Sequence, residues 1–478
     1  MSMLWDRETL VSTTAGGASG EWRGVSGVSI DTRTLQQGDL FVALKDARDG
    51  HDFVGPALKA GAGAALVSRV PEGVAADAPL LRVDDPLFAL ETLGGAARNR
   101  ATGAGVIAVT GSAGKTSVKD ALAAILSPQG ATHASARSYN NHWGVPLTLA
   151  RMPADTRYGI FEIGMNHSGE ISPLTRMVRP HIAVITNVLP AHLGNFSGED
   201  EIAAAKAEIM EGVLPGGHVV LNRDNPWFDL LTTKAAALDL TVVSFGESPE
   251  ATARLLKLSQ QSDSASAEAD ILGERVLFKL ATPGRHQALN ALAVLAAAKL
   301  AGADLALCAL ALAQWKPGDG RGARRRIRLD PIDPASAIQL IDESYNANPA
   351  SVVAALETLS LAQPTKTPTG RPGRRIAVLG DMLELGPDAD RLHADIAAAP
   401  SMRGVDQVFA CGPHSKTLYD ALPKAKRGDW KPDSRTLAPL VKAEMRAGDV
   451  VMVKGSLGSA MAVIVAALDS IAAARKKR

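Results

Sequence analysis

The segment Gly111-Ser112-Ala113-Gly114-Lys115-Thr116 carries the groups a phosphate site needs. Glycines let backbone N–H groups turn inward on phosphate oxygens, and a helix beginning there adds positive potential. Lys115 can reach β- and γ-phosphates, and the Thr116 hydroxyl is placed to bind Mg2+. The usual form of such a loop has another glycine where Val109 stands, so this is a shorter variant. Two further segments end in groups that suit a hard cation: Glu162 in YGIFEIGMNHSGEI and His192 in HIAVITNVLPAHLGNF. A carboxylate and an imidazole beside a nucleotide are sensible ligands for a divalent ion, the imidazole being the less usual. Each also has a plain alternative, a surface carboxylate on a strand and a histidine making a structural hydrogen bond. Lys206, in EDEIAAAKAEIMEGVL, reads from its neighbours alone as a solvated lysine on a helix with an acidic start.

The elements that must hold these groups are strands running into helices. Val106–Val109 is rich in β-branched residues and leads directly into the loop, after which Val118, Leu122 and Ile125 recur on one helical face. Glycine-bounded β-rich runs alternate with Ala/Leu-rich helical patterns almost throughout, which predicts α/β domains with largely parallel sheets. In such sheets ligands sit beyond the carboxyl ends of strands, where Glu162 and His192 could converge on the phosphate loop. The pattern divides the chain at 1–101, 102–318 and 319–478. A hinge is expected at Ala101–Gly105, and a Gly/Arg-rich joint at Pro317–Arg326. Gln363–Arg375, with its prolines and no apolar periodicity, reads as a mobile surface loop.

Composition narrows the function classes. The 478 residues suffice for about three domains, and 46% hydrophobic with 21% charged residues excludes wholesale disorder. Lys+Arg 51 against Asp+Glu 50 gives a net charge of +1, which argues against a nucleic-acid binder. Cys308 and Cys411, the only cysteines, build neither a disulfide framework nor a zinc cluster. Asp6 and Glu8 stand where an export signal would need an apolar stretch. Met461–Leu468 falls far short of the roughly 20 residues of a membrane span. A cytoplasmic monomer without membrane insertion is expected, and the basic tail Arg475–Arg478 reads as a solvated helix end.

The ordered blocks SIDTRTLQQGDLFVAL, DGHDFV, TGSAGKTS, NNHWGVPLTL, EIGMNHSGEI, ITNVLPAHLGNF, AKAEI, GRHQALNA, DESYNANP, AVLGDMLELG and VKGSLGS closely resemble the Mur ligases, ATP-dependent amino-acid ligases of peptidoglycan precursor synthesis. The resemblance spans all three segments. It implies a small N-terminal α/β domain for a UDP-sugar, a central phosphate-loop ATPase domain with a mostly parallel sheet, and a C-terminal Rossmann-like domain. NNHWGVPLTL, DESYNANP and LGDMLELG point to the branch that joins D-alanyl-D-alanine to UDP-MurNAc-tripeptide, giving UDP-MurNAc-pentapeptide, ADP and phosphate.

By this resemblance Gly111, Ser112, Ala113, Gly114, Lys115, Thr116 and Ser117 hold the triphosphate of ATP. Thr116, Glu162, His192 and Lys206 serve two Mg2+ ions. Lys206 aligns with a lysine that is carbamylated in family members, which reverses its reading as a solvated side chain. Asn290 matches an adenine-binding asparagine, Arg321 an ATP-contacting arginine, and Asp342 an acid near the ribose. Lys115, Lys206, His192 and Arg321 form the implied catalytic set. Ser29, Asp31, Thr32, Arg33, Asn140 and Asn141 are implied along the UDP-sugar peptide, and Tyr345, Asn346 and Asn348 toward D-Ala-D-Ala or the nucleotide. Departures are Gln287 for a common Asn, Gly322 for a bulky apolar residue, and Leu457 and Ala462 for an Arg and a Glu. The rival readings are a sister ligase, whose block would resemble DNPR where this chain has DESYNANP, and a phosphate-loop kinase or NTPase.

Overall fold

The computed structural model describes residues 3–136, 138–190, 193–330, 332–366 and 370–474. Three main sheets follow one another along the chain. The N-terminal sheet runs Gly17–Ser19, Leu80–Arg82, Ala64–Val67, Asp39–Val42, Gly27–Ser29, parallel except at the first pair. The central sheet of nine strands is parallel from Thr132–Ala134 through Tyr158–Glu162, Gly105–Thr110, Ile182–Ile185 and His218–Asn222 to Thr241–Gly246, and on to Ala253–Gln260. Ala265–Ile271 and Glu274–Leu280 extend it as antiparallel strands. This meander departs from the expected strand–helix alternation. Residues of Ala265–Ile271 alternate buried and half-buried, as one-sided antiparallel strands do.

Gly105–Thr110 is apolar up to its last residue because helices cover both faces. Ile107 and Val109 pack with the helices Lys115–Leu126 and Arg285–Leu300, whereas Val106 and Ala108 pack with Gly144–Ala150 and Ile171–Val178. The strand lies between Tyr158–Glu162 and Ile182–Ile185: the chain first builds Thr132–Ala134 and Tyr158–Glu162 on one side and then crosses to Ile182–Ile185 on the other. A crevice opens where such connections diverge, and the phosphate loop and Glu162 sit at that end.

The expected hinge at Ala101–Gly105 is bracketed by ties to the central unit. Arg98 donates to the carbonyls of Val178 and Arg179, each at 2.9 Å. Arg100 stacks 3.7 Å over the Trp5 ring and donates to Leu4 O and Met152 O, while the Trp5 indole N–H reaches Ala150 O at 2.8 Å. Buried guanidinium groups that satisfy carbonyls of another domain hold the N-terminal and central units together.

The third sheet runs Ala323–Arg328, Ala337–Glu343, Val450–Lys454, Arg375–Gly380, Gln407–Cys411, Arg427–Lys431, antiparallel only at the first pair. The last four residues of the expected joint Pro317–Arg326 are therefore strand. The surface segment Gln363–Arg375 is tied at its described ends: Thr365 N–H donates to Gly448 O, and Gly373 N–H to Thr365 O. Asp449, almost fully buried, accepts from the backbone N–H of Arg374 (2.9 Å) and Arg446 (3.0 Å) and from the Arg374 guanidinium (2.7 Å). Asp449→Ala removes the buried carboxylate partner of that guanidinium, which keeps Gln407 and Glu444 O, and strands two N–H groups; it is expected to cost about 3 kcal/mol. A urea midpoint unchanged from that of the parent would refute this. Among the described residues no helix is long and apolar enough to cross a membrane.

Candidate active site

Gly111 and Gly114 hold φ of +146° and +85°, so the loop turns where a side chain would be strained. A Cβ on Gly111 would sit 2.0 Å from Thr186 Oγ1. The segment after Ile182–Ile185 clamps the loop. Ser112 N–H donates to Asn187 O (2.9 Å), the Ser112 hydroxyl to Leu189 O (3.0 Å), and the Thr186 hydroxyl to Ala113 O (2.5 Å). The first turn of the following helix thus faces the crevice with its N–H groups. Lys115 bends back so that its ammonium donates to Gly111 O at 2.6 Å. Burial lowers the Lys115 pKa, Glu162 opposes that shift, and Arg321 adds to it.

Glu162 is the last residue of its strand and 1% exposed. One carboxylate oxygen accepts from the Thr116 hydroxyl at 2.7 Å and the other from the Asn140 amide at 2.8 Å. A buried carboxylate beside a hydroxyl at a phosphate loop fits a hard divalent ion that keeps some water and takes its other ligands from substrate phosphates. No group of three His, Cys, Asp or Glu side chains suited to a metal occurs among the described residues. His192, expected here, lies outside the described residues. Thr116 and Glu162 are therefore the described donors for such an ion.

Lys206 is not a solvated side chain. It lies in the last turn of the helix Glu199–Ala207 at 2% exposure, and no hydrogen bond or ion pair reaches its ammonium among the described residues. Burial, and then the charge of Lys115, pushes its pKa well below the usual lysine range.

The C-terminal unit closes the crevice into a cleft of about 1090 Å3. Arg321 stacks 3.9 Å over the Tyr345 ring and donates to the Ser138 hydroxyl at 2.9 Å, and the Tyr345 hydroxyl donates to the same Ser138 oxygen at 2.9 Å. Ser138 is a central-domain residue that motif reading missed, although it sits two positions before the NNHWGVPLTL block. Asn346 and Asn348 line the same wall, with Asn348 capping the helix Pro349–Leu361 through Ser351 N–H at 2.9 Å. Asn141 accepts from Gly144 N–H at 2.9 Å and starts the helix Gly144–Ala150. Asn290 lies against the loop, where a Cβ on Gly114 would meet its amide at 3.1 Å. Also unforeseen is a pair at the joint, Lys454 donating to Glu343 (3.3 Å) and to Asn346 O (3.0 Å), with His286 facing both. Burial lowers the His286 pKa, and Gln287 donates its amide to His286 Nε2 at 3.1 Å.

The remaining expected residues are not on this wall. Asp342 is buried with its carboxylate on Ser344 N–H (3.1 Å) and hydroxyl (2.6 Å), and with Arg325 at 3.5 Å. Ser29, Asp31, Thr32 and Arg33 form a turn of the N-terminal unit in which Arg33 pairs with Asp31 at 2.6 Å and the Ser29 hydroxyl donates to Asp31 O at 3.1 Å.

Comparison with known proteins fits this architecture. The chain matches the Mur ligase family catalytic domain over residues 24–98, the Mur ligase middle domain over 109–298 and the Mur ligase glutamate ligase domain over 327–457. It is 37% identical over 448 residues to UDP-N-acetylmuramoyl-tripeptide–D-alanyl-D-alanine ligase of Escherichia coli, covering 92% of this chain and 93% of the relative. The chain belongs to the Mur ligase family. The Bacillus subtilis protein of the same name is 33% identical, with 92% of each chain covered. Among solved structures, MurF from Acinetobacter baumannii superposes on this Mur ligase with a TM-score of 0.81 at 28% identity, over 98% of this chain and 99% of that one.

Proposed function

We propose that this Mur ligase joins D-alanyl-D-alanine to UDP-N-acetylmuramoyl-tripeptide at the expense of ATP. The observation that carries the reading is the facing of two walls. A phosphate loop with Glu162 stands opposite Tyr345, Asn346 and Asn348, and Arg321 and Tyr345 meet on Ser138 between them. The curated relatives that match over nearly the whole chain carry that activity in their names.

A carboxylate is a poor electrophile, so amide formation requires its activation. The γ-phosphoryl group passes to a carboxylate oxygen of the tripeptide: the new P–O bond forms as the bond to the β-phosphate oxygen breaks, leaving ADP and an acyl phosphate. The amine of D-Ala-D-Ala then attacks the carbonyl carbon, loses a proton, and phosphate departs with the C–O electron pair. Phosphoryl transfer is mostly positioning and charge neutralisation. Lys115 and the loop N–H groups bind the β- and γ-phosphates, Arg321 approaches from the C-terminal wall, and Asn290 takes the adenine. Mg2+ held by Thr116 and Glu162, with His192 and a carbamylated Lys206 for a second ion, would neutralise triphosphate charge. Asn140 keeps Glu162 oriented. Ser29, Asp31, Thr32 and Arg33 are assigned to the UDP-sugar, Asn141 to its peptide and Asp342 to the ribose side. Closure of the joint keeps water from the acyl phosphate.

Phosphate release from Mg-ATP is expected only when UDP-MurNAc-tripeptide and D-Ala-D-Ala are both present, with the pentapeptide product seen by mass spectrometry. Release without either would make the protein a plain NTPase. Silence with both, but turnover with a single amino acid, would make it a sister ligase.

A further inference from the structure

Of the large apolar side chains left exposed on described residues, Leu383 (39%) and Leu457 (65%) stand on the wall of the cleft. Leu383 follows the strand Arg375–Gly380 and Leu457 follows Val450–Lys454. Ser456 joins the two loops. Its hydroxyl accepts from Leu383 N–H at 2.9 Å and donates to Ala347 O at 3.2 Å, and its own N–H donates to Asp381 O at 2.9 Å. Leu383 lies directly on Gly458, where a Cβ would come within 2.6 Å of Leu383 Cδ1. A single exposed leucine needs no explanation. Two leucines framed by shared hydrogen bonds inside a substrate cleft form an apolar surface aimed at a ligand.

We infer that the Leu383–Leu457 ledge receives the side chain of the acceptor's C-terminal residue and sets a preference for a small apolar group there. The inference rests on the ligase reading. The amide forms beside the phosphate loop, so the acceptor amine points toward the central wall and the second residue extends away from it. A dipeptide spans about 7 Å, which directs that second residue to the loops of the C-terminal unit. Lys454 on the same wall is engaged with Glu343 and Asn346, and Leu383 and Leu457 are the large apolar side chains of the lining that stand most exposed among the described residues.

The test compares kcat/KM for D-Ala-D-Ala, D-Ala-Gly and Gly-D-Ala in the unsubstituted enzyme, Leu457→Ser and Leu457→Met. Loss of the second methyl is expected to cost the unsubstituted enzyme about fourfold. Leu457→Ser brings that ratio close to one, Leu457→Met keeps it, and the penalty for Gly-D-Ala stays the same in all three. A Leu457→Ser enzyme with the parent ratio, or one that changes the Gly-D-Ala penalty instead, overturns the ledge. An unsubstituted enzyme that never uses D-Ala-D-Ala overturns the ligase reading itself.

Discussion

Lys115→Ala is expected to lower kcat by about a thousandfold or more, the scale on which preorganised charge stabilisation acts in phosphoryl transfer. The ammonium already sits within the loop, 2.6 Å from Gly111 O, and is buried next to Glu162 and Arg321. Triphosphate bound to the loop brings negative charge into that low-dielectric site, which favours the protonated lysine that burial alone disfavours. Alanine cannot replace this charge. The fold should survive, because Val118, Leu122 and Ile125 hold the helix Lys115–Leu126 in the core and alanine is a strong helix former. Steady-state kinetics beside a thermal melt checks both halves. Normal turnover by a folded Lys115→Ala enzyme would remove the phosphate-loop assignment.

The parts of the site legible in the sequence are those in which chemistry and local structure are contiguous. Gly111–Thr116 sits between a β-branched strand and an amphipathic helix, so spacing alone located it. Glu162 was placed by the strand that it ends. Lys206 was different, since helical periodicity describes its neighbours along the chain and not what packs over them. Its burial comes from the central fold closing over the end of its helix, and only the family resemblance marked it. Ser138, Arg321 and Tyr345 meet across about 200 residues of chain, which no local pattern records. The central meander was hidden for another reason. ASAEADI alternates correctly for a one-sided strand, but a reading of strands followed by helices gives such a run no partner. The arginines at 98 and 100, just before the expected hinge, are likewise tied to carbonyls far along the chain, which no local pattern records.

Lys206→Ala is expected to lose activity on the same scale as Lys115→Ala, but to recover part of it in formate or acetate. The reason lies in what burial does to an amine. Burial and the Lys115 charge drive the Lys206 pKa well below the ordinary value, and no acceptor reaches it among the described residues, so the free-amine form is favoured more than in an exposed lysine. A free amine adds to CO2, forming an N–C bond and releasing one proton, and the carbamate so formed is an anionic oxygen donor. That anionic product would be attracted to the Lys115 ammonium, which disfavours a second ammonium beside it, and would supply the oxygen ligands that a hard cation prefers. Alanine leaves a space at the helix end in which a small carboxylic acid can provide the same oxygens. The unsubstituted enzyme should show the modification directly, as a 13C carbamate resonance after incubation with labelled bicarbonate that Lys206→Ala lacks. Rescue by formate or acetate with no such resonance in the parent would assign Lys206 an electrostatic role as the amine. Full activity of Lys206→Ala without any added acid would remove it from the site.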